Sequence, residues 1–167
     1  LSIADRYAQL DQWGVPKDCY KYILTYNFFP LIKRIVSELD VCPKFVGTLF
    51  GQRLKHLHGQ YGNIPFYIDR IYDLFDFLKQ EGIDKAIARD MLEEMFIYPN
   101  AEMPQILGLA GYKKMTKQEI EELYNKAISD FEPYRTRSND NDKRNYAIGR
   151  VRRRAIGNAA FTELAKK

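Results

Sequence analysis

The chain has few residues of the reactive kind. Two cysteines, Cys19 and Cys42, stand in 167 residues, and neither belongs to a Cys-x-x-Cys pair or a Cys/His ligand spacing. That argues against the common zinc arrangements. Free thiols are the expectation, with a cytoplasmic location to match, since disulfides are rare in a reducing cytosol. There are two histidines, His56 and His58. Two residues apart on a helix, their side chains diverge by roughly 200° and cannot converge on one metal. Each is expected on the surface or near a phosphate, and no metal ligand is expected. No Ser/His/Asp order, P-loop or dinucleotide fingerprint occurs. The acidic pairs Glu93–Glu94 and Glu121–Glu122 read as solvated helix surface, without the shielded setting that acid–base catalysis needs. No catalytic residue is expected. No apolar run approaches the ~20 residues of a membrane span, and no secretory leader is visible. Leu1 already stands inside a helical pattern without an initiator Met, as in a fragment of a longer protein.

Strand alternation is also missing. What is present is helical period throughout, so the expected fold is all-α. Ser2 caps a first helix bearing Ile3, Tyr7, Leu10 and Trp13, and Gly14 closes it. Pro16 and Asp18 open a second helix, Pro30 a third and Pro43 a fourth, the last carrying Phe45 to Leu57. The segment 59–65, with two glycines, an Asn and a Pro, reads as a boundary. It divides the chain into two small helical subdomains, 1–62 and 63–167. Beyond it, 66–80 predicts one helix with a dense apolar stripe, stopped by Gly82. Asp84 caps the next, and a short helix around Met103–Leu107 follows. Thr116 with Glu119 forms a capping box before Ile120, Leu123, Ala127 and Ile128. Pro133 is expected to end that helix, and 135–143 reads as a polar, turn-rich loop. Two last helices meet at Gly157, with Asn158 as the N-cap of the final one.

Charge is unevenly distributed. From Arg135 to Lys167 there are ten Lys or Arg against three Asp or Glu, a net of +7, so the other 134 residues carry −3 of the total +4. A basic end on a near-neutral body points to an anionic partner, most often nucleic acid. Arg150, Arg153 and Arg154 share one helix side by spacing, with Arg152 elsewhere. Lys143, Arg144 and Lys166 complete the candidate set. The bland reading is a solvated face paired to nearby carboxylates; the sharper one is contact with backbone phosphates, which guanidinium forks fit. Gly149 reads as a place for close backbone approach, to a neighbouring helix or to phosphate, with helix packing preferred, and Gly157 as a helix C-cap.

The order of motifs from about Ile64 to Lys167 resembles the GatB/YqeY-type tail domain, which ends the B-type or E-type subunit of tRNA-dependent amidotransferases. The residues that carry the resemblance are 80-QEGIDKAIARDMLEEM-95, 103-MPQILGLAG-111 and the pair Gly149 and Gly157, two glycines separated by seven residues before the last helix. Upstream, 41-VCPKFVGTLFGQRLKHLHGQ-60 is similar to the helical segment before the tail in the E-type protein of glutamyl-tRNA(Gln) amidotransferases. The chain departs from the pattern at Arg152, where the family usually has Met, and at 158-NAAF-161, where it often has Lys/Arg-Ala-Asn-Pro.

The resemblance implies a fragment without its own active site, holding the outer, elbow side of a tRNA during transamidation in the Gln or Asn pathway. It implies tRNA and a glutaminase (amidase) subunit as partners, with neither DNA nor membrane. No cofactor is implied for these residues; ATP and Mg would belong to other domains. The alternative is a helical protein-interaction module docking on its parent enzyme or another subunit.

Overall fold

The computed structural model describes residues 2–131 and 140–166, and among them every regular element is helical. Helix α1 (Ile3–Gln12) starts with a capping box between Ser2 and Asp5 and is closed by Gly14 at φ +73°. A 3₁₀ turn (Lys17–Cys19) leads into α2 (Tyr20–Thr25). Asn27, at φ +56°, reverses the chain into α3 (Phe29–Leu39). Helix α4 (Pro43–Thr48) runs through a π-type segment (Leu49–Leu54) into α5 (Lys55–Gln60). Gly47 and Gly51, one turn apart, let this long helix lie against the residues before α2. A Cβ on Gly47 would sit 2.4 Å from Val15 Cγ2, and one on Gly51 would sit 2.2 Å from Cys19 Cβ.

Helix α6 spans Arg70–Glu81, so the stretch expected to be helical from 66 begins four residues later. Pro65 and the contacts made by the intervening residues account for the difference. Phe66 stacks on Phe96 with ring centroids 4.1 Å apart, a contact made from irregular chain and not from a helical turn. Arg70 then donates to the carbonyls of Pro99 and Ala101 at 2.7 and 2.8 Å. A 3₁₀ turn (Lys85–Ile87), capped by the Asp84 side chain, precedes α7 (Ala88–Ile97), and α8 (Met103–Leu109) follows. Helix α9 (Lys117–Asp130) carries the expected capping box of Thr116 and Glu119. Helix α10 (Asp140–Ala155) and α11 (Ala159–Lys166) complete the chain. The expected loop 135–143 is therefore helical from residue 140, where Asp140 and Asp142 supply the first-turn acids that suit a helix N-terminus. Residues 135–139 of that loop, and the expected stop at Pro133, lie outside the described residues.

Most of the buried apolar side chains fall into two clusters. The larger runs from Leu10 to Ile106 and includes residues on both sides of 59–65. The smaller joins Ile120 of α9, Val151 and Ala155 of α10, and Phe161 of α11. Gly157 lies where they meet: its carbonyl accepts the Asp84 amide at 2.7 Å, and a Cβ there would fall 2.9 Å from the Tyr112 ring.

The histidines fall in unlike places. His56 is exposed, whereas His58 is half-buried, edge-on to Phe96 and hydrogen-bonded through Nδ1 to the Tyr22 hydroxyl. The expectation of a surface or phosphate-facing His58 is corrected here. The aromatic wall of α2 and α7 needs a neutral, flat ring at that position, and burial holds the imidazole below its ordinary pKa range.

Candidate nucleic-acid interface

Helix α10 is built around one apolar line. Ala147, Val151 and Ala155, four residues apart, are buried. At about 100° per residue, Arg150 and Arg154 lie on the flank of this line turned toward α9, Arg153 points outward, and Arg152 lies on the opposite flank. All four arginines are exposed. Among the described residues, none of them forms an ion pair; the two pairs present are Arg34–Glu38 and Arg53–Glu93. The basic side chains of the last turn therefore complement the helix dipole and keep their charge open to solvent.

Arg150 is held by a neighbouring side chain. Its guanidinium donates to the Tyr146 hydroxyl at 2.9 Å and lies 5.8 Å from that ring's centroid. Tyr146 in turn packs against Phe131 at the end of α9, with centroids 5.3 Å apart. The Tyr146 hydrogen bond raises the Arg150 pKa further, so its charge is permanent.

The remaining candidates occupy other places. The Arg144 guanidinium donates to the carbonyls of Leu164 and Ala165 at 3.2 and 3.1 Å, which caps the last turn of α11. Lys143 is half-buried beside it, and Lys166 is exposed at the end of α11. Because α11 folds back along α10, these three gather about 10–15 Å along the helix from Arg150–Arg154, at 1.5 Å per residue. The six predicted contact residues thus form two groups, and Arg144 serves the fold.

The two glycines also separate. Gly157, at φ +91° and buried, terminates α10 as expected. Gly149 is exposed, and a Cβ there would meet nothing within 4 Å. The assignment of Gly149 to close helix packing is corrected, because it lies on the outward side of α10, away from Val151.

Three contributors escaped the sequence reading. Lys113 and Lys114 precede α9, Lys126 projects from α9, and all three border the same groove as Arg154. Their local signal was the Lys113–Lys114 dyad, hidden by the slightly negative average of the first 134 residues. Asn158 is the other surprise. Its side chain was expected to cap α11, but it reaches across the chain instead. Nδ2 donates to the carbonyls of Lys113 and Ala155 at 2.9 and 3.0 Å, and Oδ1 accepts the Met115 amide at 3.0 Å. The α11 N-terminus is served by the Asn158 carbonyl, which takes the amides of Phe161 and Thr162.

No cluster of three or more His, Cys, Asp or Glu able to hold a metal is found among the described residues, and no helix among them is long and apolar enough to cross a membrane. In comparisons with known proteins, no family model, no curated protein and no solved structure matches the chain.

Proposed function

We propose that this chain is the tRNA-binding C-terminal part of a glutamine-dependent aminoacyl-tRNA amidotransferase, holding the outer side of a glutamyl-tRNA(Gln) or aspartyl-tRNA(Asn). Transamidation chemistry, with its ATP, Mg and glutaminase partner, belongs elsewhere in that assembly. The observation that carries this reading is the exposed arginine run closing α10, with no carboxylate partner among the described residues. The choice of tRNA over other polyanions rests on the resemblance of the motif order to the GatB/YqeY-type tail. Phosphate contacts release counterions, so binding should weaken steeply with salt. A filter-binding titration with tRNA at two salt levels tests the reading. Binding that is absent at low salt, or indifferent to salt, would overturn it. Charge reversal at Arg150, Arg153 and Arg154 should abolish binding.

A second reading has one observation in its favour. Ile3 and Tyr7, one turn apart on α1, are 71% and 44% exposed, and Tyr26 is 59% exposed. Exposed apolar side chains suit docking on a parent enzyme or another subunit. It predicts that the arginine reversals leave tRNA binding by the parent protein unchanged.

A further inference from the structure

The arginine run is one side of a groove whose other side has no role in the reading above. Lys113 and Lys114 from the linker before α9, Lys126 from α9 and Arg154 from α10 border an open groove of about 600 Å³. Next to it, Lys126, Arg150 and Arg154 surround a smaller recess of about 140 Å³ together with Asp130. The three lysines are exposed and, among the described residues, form no ion pair. The linker that carries two of them is held in place. Asn158, 6% exposed, binds the Lys113 carbonyl and the Met115 amide on either side of Lys114.

We propose that the groove between α9 and α10 is a site for the phosphate backbone of an RNA duplex. Lys113, Lys114 and Lys126 meet phosphates across from Arg150 and Arg154, and Asn158 is the residue that positions the lysine wall. The proposal rests on the RNA reading above and supplies its second wall.

Two features favour a duplex backbone over other anions. First, single-strand sites rely on free aromatic faces for base stacking. Here the exposed ring beside the arginines, Tyr146, is committed to Phe131 and Arg150, and Tyr112 is pressed against Gly157. Contacts of charge alone position a backbone without reading its bases, and folded RNA is recognised largely by shape and backbone. Second, Glu119, Glu122 and Asp130 share the groove, leaving five cations against three carboxylates. That balance is weak for a lone phosphate, whereas a chain of phosphates can engage the cations in succession.

The test is fluorescence anisotropy of the whole chain with labelled tRNA, a short RNA duplex and single-stranded oligouridine, between about 50 and 200 mM salt. The triple variant Lys113→Ala, Lys114→Ala, Lys126→Ala should lower the slope of log affinity against log salt by roughly two to three, at about 0.9 per phosphate contacted, and weaken duplex binding on the order of a hundredfold near 100 mM salt. The charge-matched control Lys17→Ala, Lys21→Ala, Lys33→Ala, on the other cluster, should leave the slope unchanged. Glu122→Gln should tighten binding. Asn158→Ala, measured well below its melting temperature, should reduce the slope as well, whereas simple loss of folded protein would lower the active fraction and leave the slope alone. If the groove triple behaves like the control while the unaltered chain binds tRNA, the groove is overturned and the tRNA reading stands. No binding of either tRNA or duplex at about 50 mM salt overturns both. Preference for oligouridine over the duplex overturns the duplex assignment.

Discussion

Removing the Asn158 amide should loosen the end of the molecule that the charges depend on. The side chain makes three hydrogen bonds from a site that is 6% exposed, and joins the end of α10 to the linker before α9. A buried hydrogen bond contributes about 1 kcal/mol net, and a partner left unsatisfied costs more. Lys113 is exposed, so water can take over its carbonyl, while the Met115 amide and the Ala155 carbonyl are less accessible. Asn158→Ala should therefore cost about 3 kcal/mol. At roughly 2–4 °C per kcal/mol for a chain of this size, its melting temperature should fall by about 6–12 °C. Asn158→Asp keeps the shape and replaces the donor. Its carboxylate would face two carbonyls, which raises its folded pKa above the ordinary value near 3.9. The folded state then binds a proton that the unfolded chain has already released. Stability should accordingly fall as pH rises through the folded pKa, and the variant should be less stable than Asn158→Ala at pH 7 and recover toward it in acid. Thermal melts followed by circular dichroism give the stabilities, and hydrogen exchange at the Met115 amide gives the local effect. An Asn158→Ala melt within about 2 °C of the unaltered chain, with the Met115 amide still protected, would refute the argument.

Four further outcomes follow from other residues. Gly51→Ala would place a Cβ 2.8 Å from the Cys19 Cα, a backbone atom that cannot swing aside, and should cost about 3 kcal/mol or more, at the upper end for overpacking, in a denaturant titration. Gly149→Ala, with open space around it, should stabilise α10 by about 0.5–1 kcal/mol, while Gly157→Ala, at φ +91° and against Tyr112, should destabilise by at least that amount, so the two melts should move in opposite directions. Burial lowers the His58 pKa, so its contribution to stability is complete above the unfolded value near 6.5 and is lost as pH falls below it; the pH dependence of the melt between about 7 and 5 should be shallower in His58→Phe, and parallel curves would rule this out. The Cys19 thiol is pushed up to about 11 by burial and then by Asp18, whereas Cys42 is exposed, so a thiol reagent at neutral pH should label Cys42 first and reach Cys19 only on unfolding.

Features governed by neighbouring residues could be read from the chain itself. The caps at Ser2, Asp84 and Thr116 and the stops at Gly14, Gly82 and Gly157 depend on groups within four residues, and the structure has each of them. The all-α character follows from the same local periods. Features that depend on distant partners could not be read. Phe66 leaves the helical register because Phe96, thirty residues on, offers a stacking face. Gly47 and Gly51 look like ordinary helix interruptions until Val15 and Cys19 are set against them. Asn158 has the right identity and position for an N-cap, yet its amide is taken by residues more than forty positions earlier. The candidate interface divides in the same way. The charge of α10 is visible in one stretch of sequence, while its alignment with Lys113, Lys114 and Lys126 exists only once α9 and α10 are side by side.

The Arg144 contact fixes where additions to the molecule can be made. By gripping the carbonyls of Leu164 and Ala165, it returns the end of α11 to the first half of α10, ten residues before Arg154 and so about 15 Å along the axis. A dye or affinity handle joined after Ala165 would emerge at the far end of the hairpin from the groove mouth. Such a handle could report on RNA arriving between α9 and α10 without standing in its way, and surface immobilisation through that end would leave the lysine wall facing solution.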